Sequence, residues 1–413
     1  MSAVSRSLFL LLFISFIHQC SIAQTSTKVP PGDSSKSFAL NNSDRVVFLG
    51  NSFFENDLQY GYLETALTER WPDKNITYRN IGWTGDMVRG EARGTFTNPP
   101  TPYQTLIENI KRTKPTVVFI AYGGLEAMQG EAGLQHFAEG LNQLIDTIDA
   151  LNARSVLISP IPLLLADAAG DITKRNALLE LYSKKIAEIA ASRNKYFIDV
   201  FNPVNKMSNT TTITDNGIHL NERGYYLLAA VIEDALGLPK RNQPIHISVT
   251  KNDIQIAESA SIIEKGNNKE AFSFVLNDQL LPLPVPSKNL ADAADTQIIQ
   301  ITGLKKGFYT LTNNDVQVVT ASDKQWAEGV HISNGIVFDQ AEQLRDLIIQ
   351  KNEVFFQQYR PMNTTYIIGF RSYEQGRHLK GLEDMNIIIK WLEGQIAQKQ
   401  LLKPITYKLT RLN

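Results

Sequence analysis

Between residues 44 and 237, five short apolar runs alternate with longer stretches of helical periodicity, and this alternation narrows the possible folds more than any other feature. The runs fall at 45–50, 76–81, 116–122, 155–159 and 196–200, with helices expected at 60–70, 103–113, 133–151, 173–192 and 221–236. In the third helix Phe137, Leu141, Leu144, Ile145 and Ile148 recur on one face, as a helix laid on a sheet requires. Strands joined through single helices run parallel, with right-handed crossovers. The expectation is an α/β domain at 44–238 whose parallel sheet is covered on both faces.

In such a sheet the carboxyl ends of the strands meet at one rim, where ligands bind. Four stretches fall there: Gly50-Asn51-Ser52-Phe53, Asn80-Ile81-Gly82-Trp83-Thr84-Gly85-Asp86, Tyr122-Gly123-Gly124-Leu125-Glu126 and Asp215-Asn216-Gly217-Ile218-His219-Leu220. Together they offer a serine hydroxyl, glycine-lined backbone and a histidine. A serine within reach of a histidine base is the minimum for nucleophilic acyl transfer, and backbone N–H groups suit a developing oxyanion. Plainer roles are open to the same residues. Ser52 could form a turn, His219 could cap the helix beginning at Asn221, Gly82 and Gly85 could only shape a turn, and Trp83 and Tyr122 could be core aromatics rather than substrate platforms. Glu55, Asp57, Asp86 and Glu91 lie near the rim without the histidine spacing of a metal site. His136, His246, His331 and His378 have no partner pattern, so neither a metal nor another cofactor is expected.

In this order and spacing the four stretches resemble the SGNH (GDSL) hydrolase superfamily of esterases, lipases and carbohydrate deacetylases, over about residues 44–237. The resemblance implies a flavodoxin-like three-layer α/β/α sandwich and metal-free ester hydrolysis through a covalent acyl-enzyme. By position it makes Ser52 the nucleophile, His219 the base, and the N–H groups of Ser52 and Gly85 the oxyanion hole. Trp83, Tyr122, Gly124 and Glu126 then border the substrate, a small-molecule or glycan ester. Asn51 stands where the family often has Asp.

Two departures touch the chemistry. Leu125 occupies the place of the family's oxyanion asparagine, and losing one such donor costs about 10²–10³ in rate. Asn216 stands three residues before His219, where the family has Asp. Asparagine can accept from the imidazole N–H but cannot balance its positive charge, and the corresponding change in serine proteases costs about 10⁴. Asp215 is the alternative orienting group, with Glu126, or Arg371 and Glu374, as further candidates to complete the site. The same departures also fit a second class of function, a degenerate SGNH domain that binds a glycan or protein without turnover.

Residues 1–23 read as a secretory signal: Arg6 supplies the charge, 8–17 the apolar region and Ser21-Ile22-Ala23 the cleavage site. The expected location is therefore secreted or periplasmic. Cys20, the only cysteine, lies upstream of the cut, so the mature chain is expected to carry no disulfide. Ile17, His18 and Gln19 before it lack the small residues of a lipoprotein site. Residues 24–43, rich in Ser, Thr, Pro and Asn, form a flexible leader. No later stretch is long and apolar enough for a membrane helix. A formal net charge of −1 gives no reason to expect a nucleic-acid partner.

From 239 to 337, short β-rich runs separated by turn residues predict a small antiparallel β module, with Pro282, Pro284 and Pro286 in a loop or at an edge. A helical segment at 338–413 follows, with helices at 338–358 and 383–398 and then a short tail. The stretch 360–371, dense in polar and aromatic residues, is expected to fold back on the α/β domain and shape its pocket.

Overall fold

A computed structural model describes residues 38–95, 98–166, 170–241, 244–251, 253–256, 260–265, 271–276, 280–286, 297–361 and 376–412. Residues 1–37, on which the expected signal and most of the expected leader fall, and Arg371 and Glu374 lie outside the described residues.

The α/β part runs β1 (Arg45–Gly50), α1 (Ser52–Glu55), α2 (Tyr62–Arg70), β2 (Thr77–Asn80), α3 (Pro102–Thr113), β3 (Val117–Ala121), α4 (Leu134–Ala150), β4 (Arg154–Ile158), α5 (Asp171–Ser192), β5 (Tyr196–Ile198), α6 (Phe201–Ser208) and α7 (Glu222–Ala235). All five strands pair in parallel, in the order β2-β1-β3-β4-β5. This is the doubly wound order whose direction of winding reverses between β1 and β3, where ligands bind in such folds. β3 is buried along its whole length and β1 along all but Arg45, because helices cover both faces. One face packs Phe48 and Phe119 against Tyr225 and Leu228 of α7, and the other packs Leu49 and Ile120 against Leu141 and Ile145 of α4.

The rest of the chain adds β6 (Ile245–Val249), β7 (Ile254–Ile256), β8 (Ala260–Lys265), β9 (Ala271–Leu276), β10 (Gln297–Thr302), β11 (Phe308–Asn313), β12 (Val316–Ser322), α8 (Asp323–Glu328), β13 (Val330–Ile332), α9 (Ile336–Tyr359), α10 (Gly376–Lys399) and β14 (Ile405–Arg411). They build a four-stranded sheet, β13-β10-β6-β7, and a five-stranded one, β12-β11-β14-β9-β8. The module is not wholly antiparallel as expected, since β6 and β10 pair in parallel. A parallel return needs a long connection, and β7 to β9 supply it. The short tail is itself a strand. Ile405, Tyr407 and Leu409 alternate inward, and β14 lies between β11 and β9 in mid-sheet. The proline-rich segment leaves regular structure and buries Leu281 and Leu283.

Helix α9 is fastened to the α/β part through buried charge. Lys351 Nζ donates to Glu64 Oε1 and Oε2 at 2.6 and 2.8 Å and to the Tyr78 carbonyl at 3.1 Å, and Asn352 Nδ2 donates to Glu64 Oε2 at 2.9 Å. One turn and a half earlier, Arg345 lies over the Tyr62 ring at 4.7 Å and donates to Glu222 at 3.0 Å. A buried carboxylate is tolerable only while paired, so Lys351→Met is expected to destabilise the protein by about 3–5 kcal/mol in urea unfolding. Pairing it with Glu64→Leu should recover most of that loss. A single variant as stable as wild type would mean that water reaches Glu64.

Candidate active site

After β1 the chain turns at Asn51, and Ser52 opens α1. Asn51 caps this turn: its Oδ1 accepts from the Phe53 N–H at 3.0 Å, and its carbonyl accepts from Phe54 and Glu55, each at 3.2 Å. The Ser52 N–H is left without an acceptor among the described residues.

The second stretch is laid along this turn. Asn80 Nδ2 donates to the Phe54 carbonyl at 2.7 Å, Asn80 Oδ1 accepts from Gly82 at 2.9 Å, and Trp83 N donates to the Gly50 carbonyl at 2.9 Å. A Cβ on Gly82 would stand 2.5 Å from Glu55 N, so only glycine permits this approach. The Glu55 carboxylate receives the Thr84 N–H. Gly85 then takes φ +82°, is exposed, and has no acceptor for its N–H among the described residues. Beneath the turn, the buried Asp86 accepts from Arg93 Nε and from the Tyr122 hydroxyl, both at 2.7 Å.

The third stretch is tied to the second by Glu126, whose two oxygens accept from the Val88 and Gly123 N–H groups, each at 2.8 Å. In the fourth, Asn216 Oδ1 accepts from the Ile218 and His219 N–H groups at 3.0 and 2.8 Å, while Asp215 Oδ1 accepts from Asn221 Nδ2 at 3.0 Å. Asn221 caps α7, and Tyr225 of that helix donates its hydroxyl to the Phe53 carbonyl at 2.7 Å. The histidine loop and the serine turn are thus joined through α7.

Ser52 and His219 line one cavity of about 130 Å³, together with Asn51, Gly124, Leu125 and Ser159. Most of its remaining wall is apolar, including Phe53, Met128, Ile161, Leu163 and Ile218. Among the described residues no hydrogen bond joins Ser52 to His219, and such bonds often tighten only around a substrate. Neither Asp215 nor Asn216 is bonded to the imidazole; Asn216 holds the backbone of His219 instead. Gly85 is not in the cavity wall but on the adjoining turn. Tyr122 lines the cavity while giving its hydroxyl to Asp86; Glu126, expected at the substrate, spends its carboxylate on the framework, because a rim built from turns has backbone N–H groups that need acceptors. Asp57 does similar work, accepting the Tyr62 N–H at 3.2 Å. No group of three or more His, Cys, Asp or Glu suited to a metal occurs among the described residues.

The half-buried Trp83 carries protein on its ring. The Arg360 guanidinium lies 3.8 Å from its ring centre and that of Arg93 5.1 Å. Arg360 also donates to Glu55 at 3.1 Å, and Tyr359 donates its hydroxyl to the Gly82 carbonyl at 2.8 Å. The end of α9 therefore clamps the Gly82–Gly85 turn. The polar and aromatic density of 360–371 was the one sequence signal for this contact; of that stretch, 362–371 lies outside the described residues.

Residues 48–227 match the GDSL-like lipase/acylhydrolase family. Among solved structures, BT4096, described as a gut microbial diltiazem-metabolizing enzyme, is similar at 16% identity and TM-score 0.69. The match covers 91% of this chain and 99% of that one, so the likeness in fold takes in the β module and C-terminal helices as well. The acetylxylan esterase Axe2 from Geobacillus stearothermophilus aligns at 17% identity and TM-score 0.40, over 49% of this chain and 98% of its own. No curated protein matches.

Burial pushes the Glu126 carboxyl up from 4.5 to about 7, against the pull of the N–H groups it accepts. The folded value lies above the unfolded one, so folding takes up a proton. This group's contribution to stability should therefore fall as pH rises from about 4.5 to about 7 and level off above. Unfolding free energies of wild type relative to Glu126→Gln, measured across that range, should follow this course. A difference independent of pH would mean that Glu126 is ionised throughout.

Proposed function

We propose that this chain is a serine esterase working through Ser52 and His219, a reading supported by the match of residues 48–227 to the GDSL-like lipase/acylhydrolase family. The observation that carries this reading is that the two residues, 167 positions apart in sequence, line the same cavity. Ser52 Oγ adds to the ester carbonyl carbon while its proton passes to the His219 imidazole and the carbonyl π pair moves onto oxygen. The N–H groups of Ser52 and, on the turn adjoining the cavity, of Gly85, neither with an acceptor among the described residues, receive that oxyanion. Collapse expels the alcohol, which takes the proton from His219. Water, activated by the same imidazole, then releases the carboxylic acid. Asn216 fixes the loop behind the imidazole, and Asp215, four residues before it, is the carboxylate left to balance its charge, since Glu222, nearer in sequence, is engaged by Arg345 and Tyr62.

A cavity of this size suits an acetyl or similarly short acyl group. The exposed Leu125, Met128 and Ile218 favour a small ester with an apolar leaving group over a bare sugar, the other substrate class open to the fold. The signal-like residues 1–23 support a secreted or periplasmic site of action. The rival reading, a binding domain on an esterase frame, draws on Leu125 and on an imidazole that no carboxylate among the described residues holds.

Hydrolysis of p-nitrophenyl acetate by the mature protein decides between them. We expect Ser52-dependent turnover, lost at least ~10³-fold in Ser52→Ala. Equal, near-background rates in both proteins would favour the binding reading. Arg360→Ala, which frees the Gly82–Gly85 turn, should lower kcat by about tenfold while the protein stays folded. An unchanged kcat would make the clamp irrelevant to catalysis.

A further inference from the structure

The oxyanion site assembled so far has two backbone donors and, with Leu125 in its wall, no side-chain donor from the third stretch. We propose that Asn51 supplies the missing one, its Nδ2–H donating to the carbonyl oxygen as that oxygen gains charge. The inference rests on the reading of Ser52 as the nucleophile.

The orientation of the Asn51 amide is settled by its own hydrogen bond. Oδ1 accepts from the Phe53 N–H at 3.0 Å, and a backbone N–H can only donate. A flipped amide would set two donors against each other, so the NH₂ group must be the end turned away from the cap. Asn51 is only 9% exposed, and what remains open faces the cavity shared with Ser52 and His219. Its Nδ2 has no acceptor among the described residues. The amide nitrogen lies beside Gly124: a Cβ built there would stand 3.7 Å from it. It therefore reaches the edge of the third stretch, next to the residue whose isobutyl side chain cannot donate.

The cap alone does not require this residue. Aspartate or serine would receive the Phe53 N–H equally well. Only asparagine does so while presenting a neutral donor on its other arm. An aspartate would instead bring a carboxylate toward the developing oxyanion. No proton is transferred by Asn51; the Ser52 Oγ–carbon bond forms, the π pair moves onto oxygen, and the Nδ2–H bond to that oxygen shortens. By that criterion Asn51 is a catalytic residue, since it touches the reacting atom.

The test uses the mature protein with p-nitrophenyl acetate and the variants Asn51→Asp, Asn51→Ser and each combined with Leu125→Asn. Both single variants keep a cap, and both should lose about 10²–10³ in kcat with little change in KM or melting temperature. Leu125→Asn should restore a large part of the loss, because it returns a side-chain donor from the third stretch. A single variant with wild-type kcat overturns the proposal, as does a loss that Leu125→Asn rescues in neither background, which would trace the effect to the turn. Absence of Ser52-dependent hydrolysis in the wild type is a different failure: it removes the esterase reading and the proposal with it.

Discussion

The carboxylate of Asp86 is the fixed point of the site. It is completely buried, and so is its partner Arg93, whose Nη2 goes on to the Ile81 carbonyl at 2.8 Å. Tyr122, at the end of β3, donates to the same carboxylate. One buried charge thus joins the ends of β2 and β3 on either side of β1, the strand that delivers Ser52. Such a cluster is rigid for an energetic reason: moving any member leaves a charge unpaired at low dielectric, which costs several kcal/mol. Glu126 repeats the device one layer further out, with backbone N–H groups in place of a guanidinium. The turns at the rim are exposed, yet their roots are not free to move.

Rigidity from below is matched by a clamp from the side. Helix α9 starts in the β module, crosses α2 and β2 through Arg345 and Lys351, and ends with Tyr359 and Arg360 on the Gly82–Gly85 turn. The chain then returns through α10 to place β14 in the middle of the module's five-stranded sheet. The β module and the esterase-like domain are consequently not two beads on a string. A disturbance of the module can reach the Gly82–Gly85 turn along a single helix, and the likeness in fold to BT4096 extends over nearly the whole chain.

Much of this was legible in the sequence, for identifiable reasons. Strands buried on both faces must be continuous apolar runs, so Val46-Val47-Phe48-Leu49 and Val117-Val118-Phe119-Ile120 announce themselves. Strand ends announce themselves through Gly50, Gly82 and Gly123. What stayed hidden depends on pairing over long separations. The parallel partnership of β6 and β10 and the central place of β14 are settled by how the chain returns, which no local pattern encodes. Nor does periodicity say that Lys351, on an apparently ordinary helix, will be buried against Glu64. Glu126 misled for the opposite reason: a polar residue at a strand end looks alike whether it faces a substrate or the underside of a turn.

The three asparagine and leucine substitutions at the rim are better understood together than singly. Relative to the family pattern, Asn51 and Asn216 each remove a negative charge, and Leu125 removes a neutral donor. The transition state for acylation carries an imidazolium and an oxyanion side by side, so charge removal acts on its two ends in opposite directions. Around the oxyanion a carboxylate at position 51 would be repulsive, and the amide there replaces repulsion by a hydrogen bond, offsetting the loss at Leu125. Around the imidazolium no such exchange occurs. Asn216 spends its oxygen on backbone N–H groups, Asp215 is held by Asn221, and Glu222, the nearest carboxylate in sequence, accepts from Arg345 and Tyr62. On the proposed reading of Ser52 and His219, and among the described residues, the weak end of this site is therefore the base, not the oxyanion hole. An esterase limited there performs best on esters whose leaving alcohol needs little protonation, and aryl and other activated esters meet that condition.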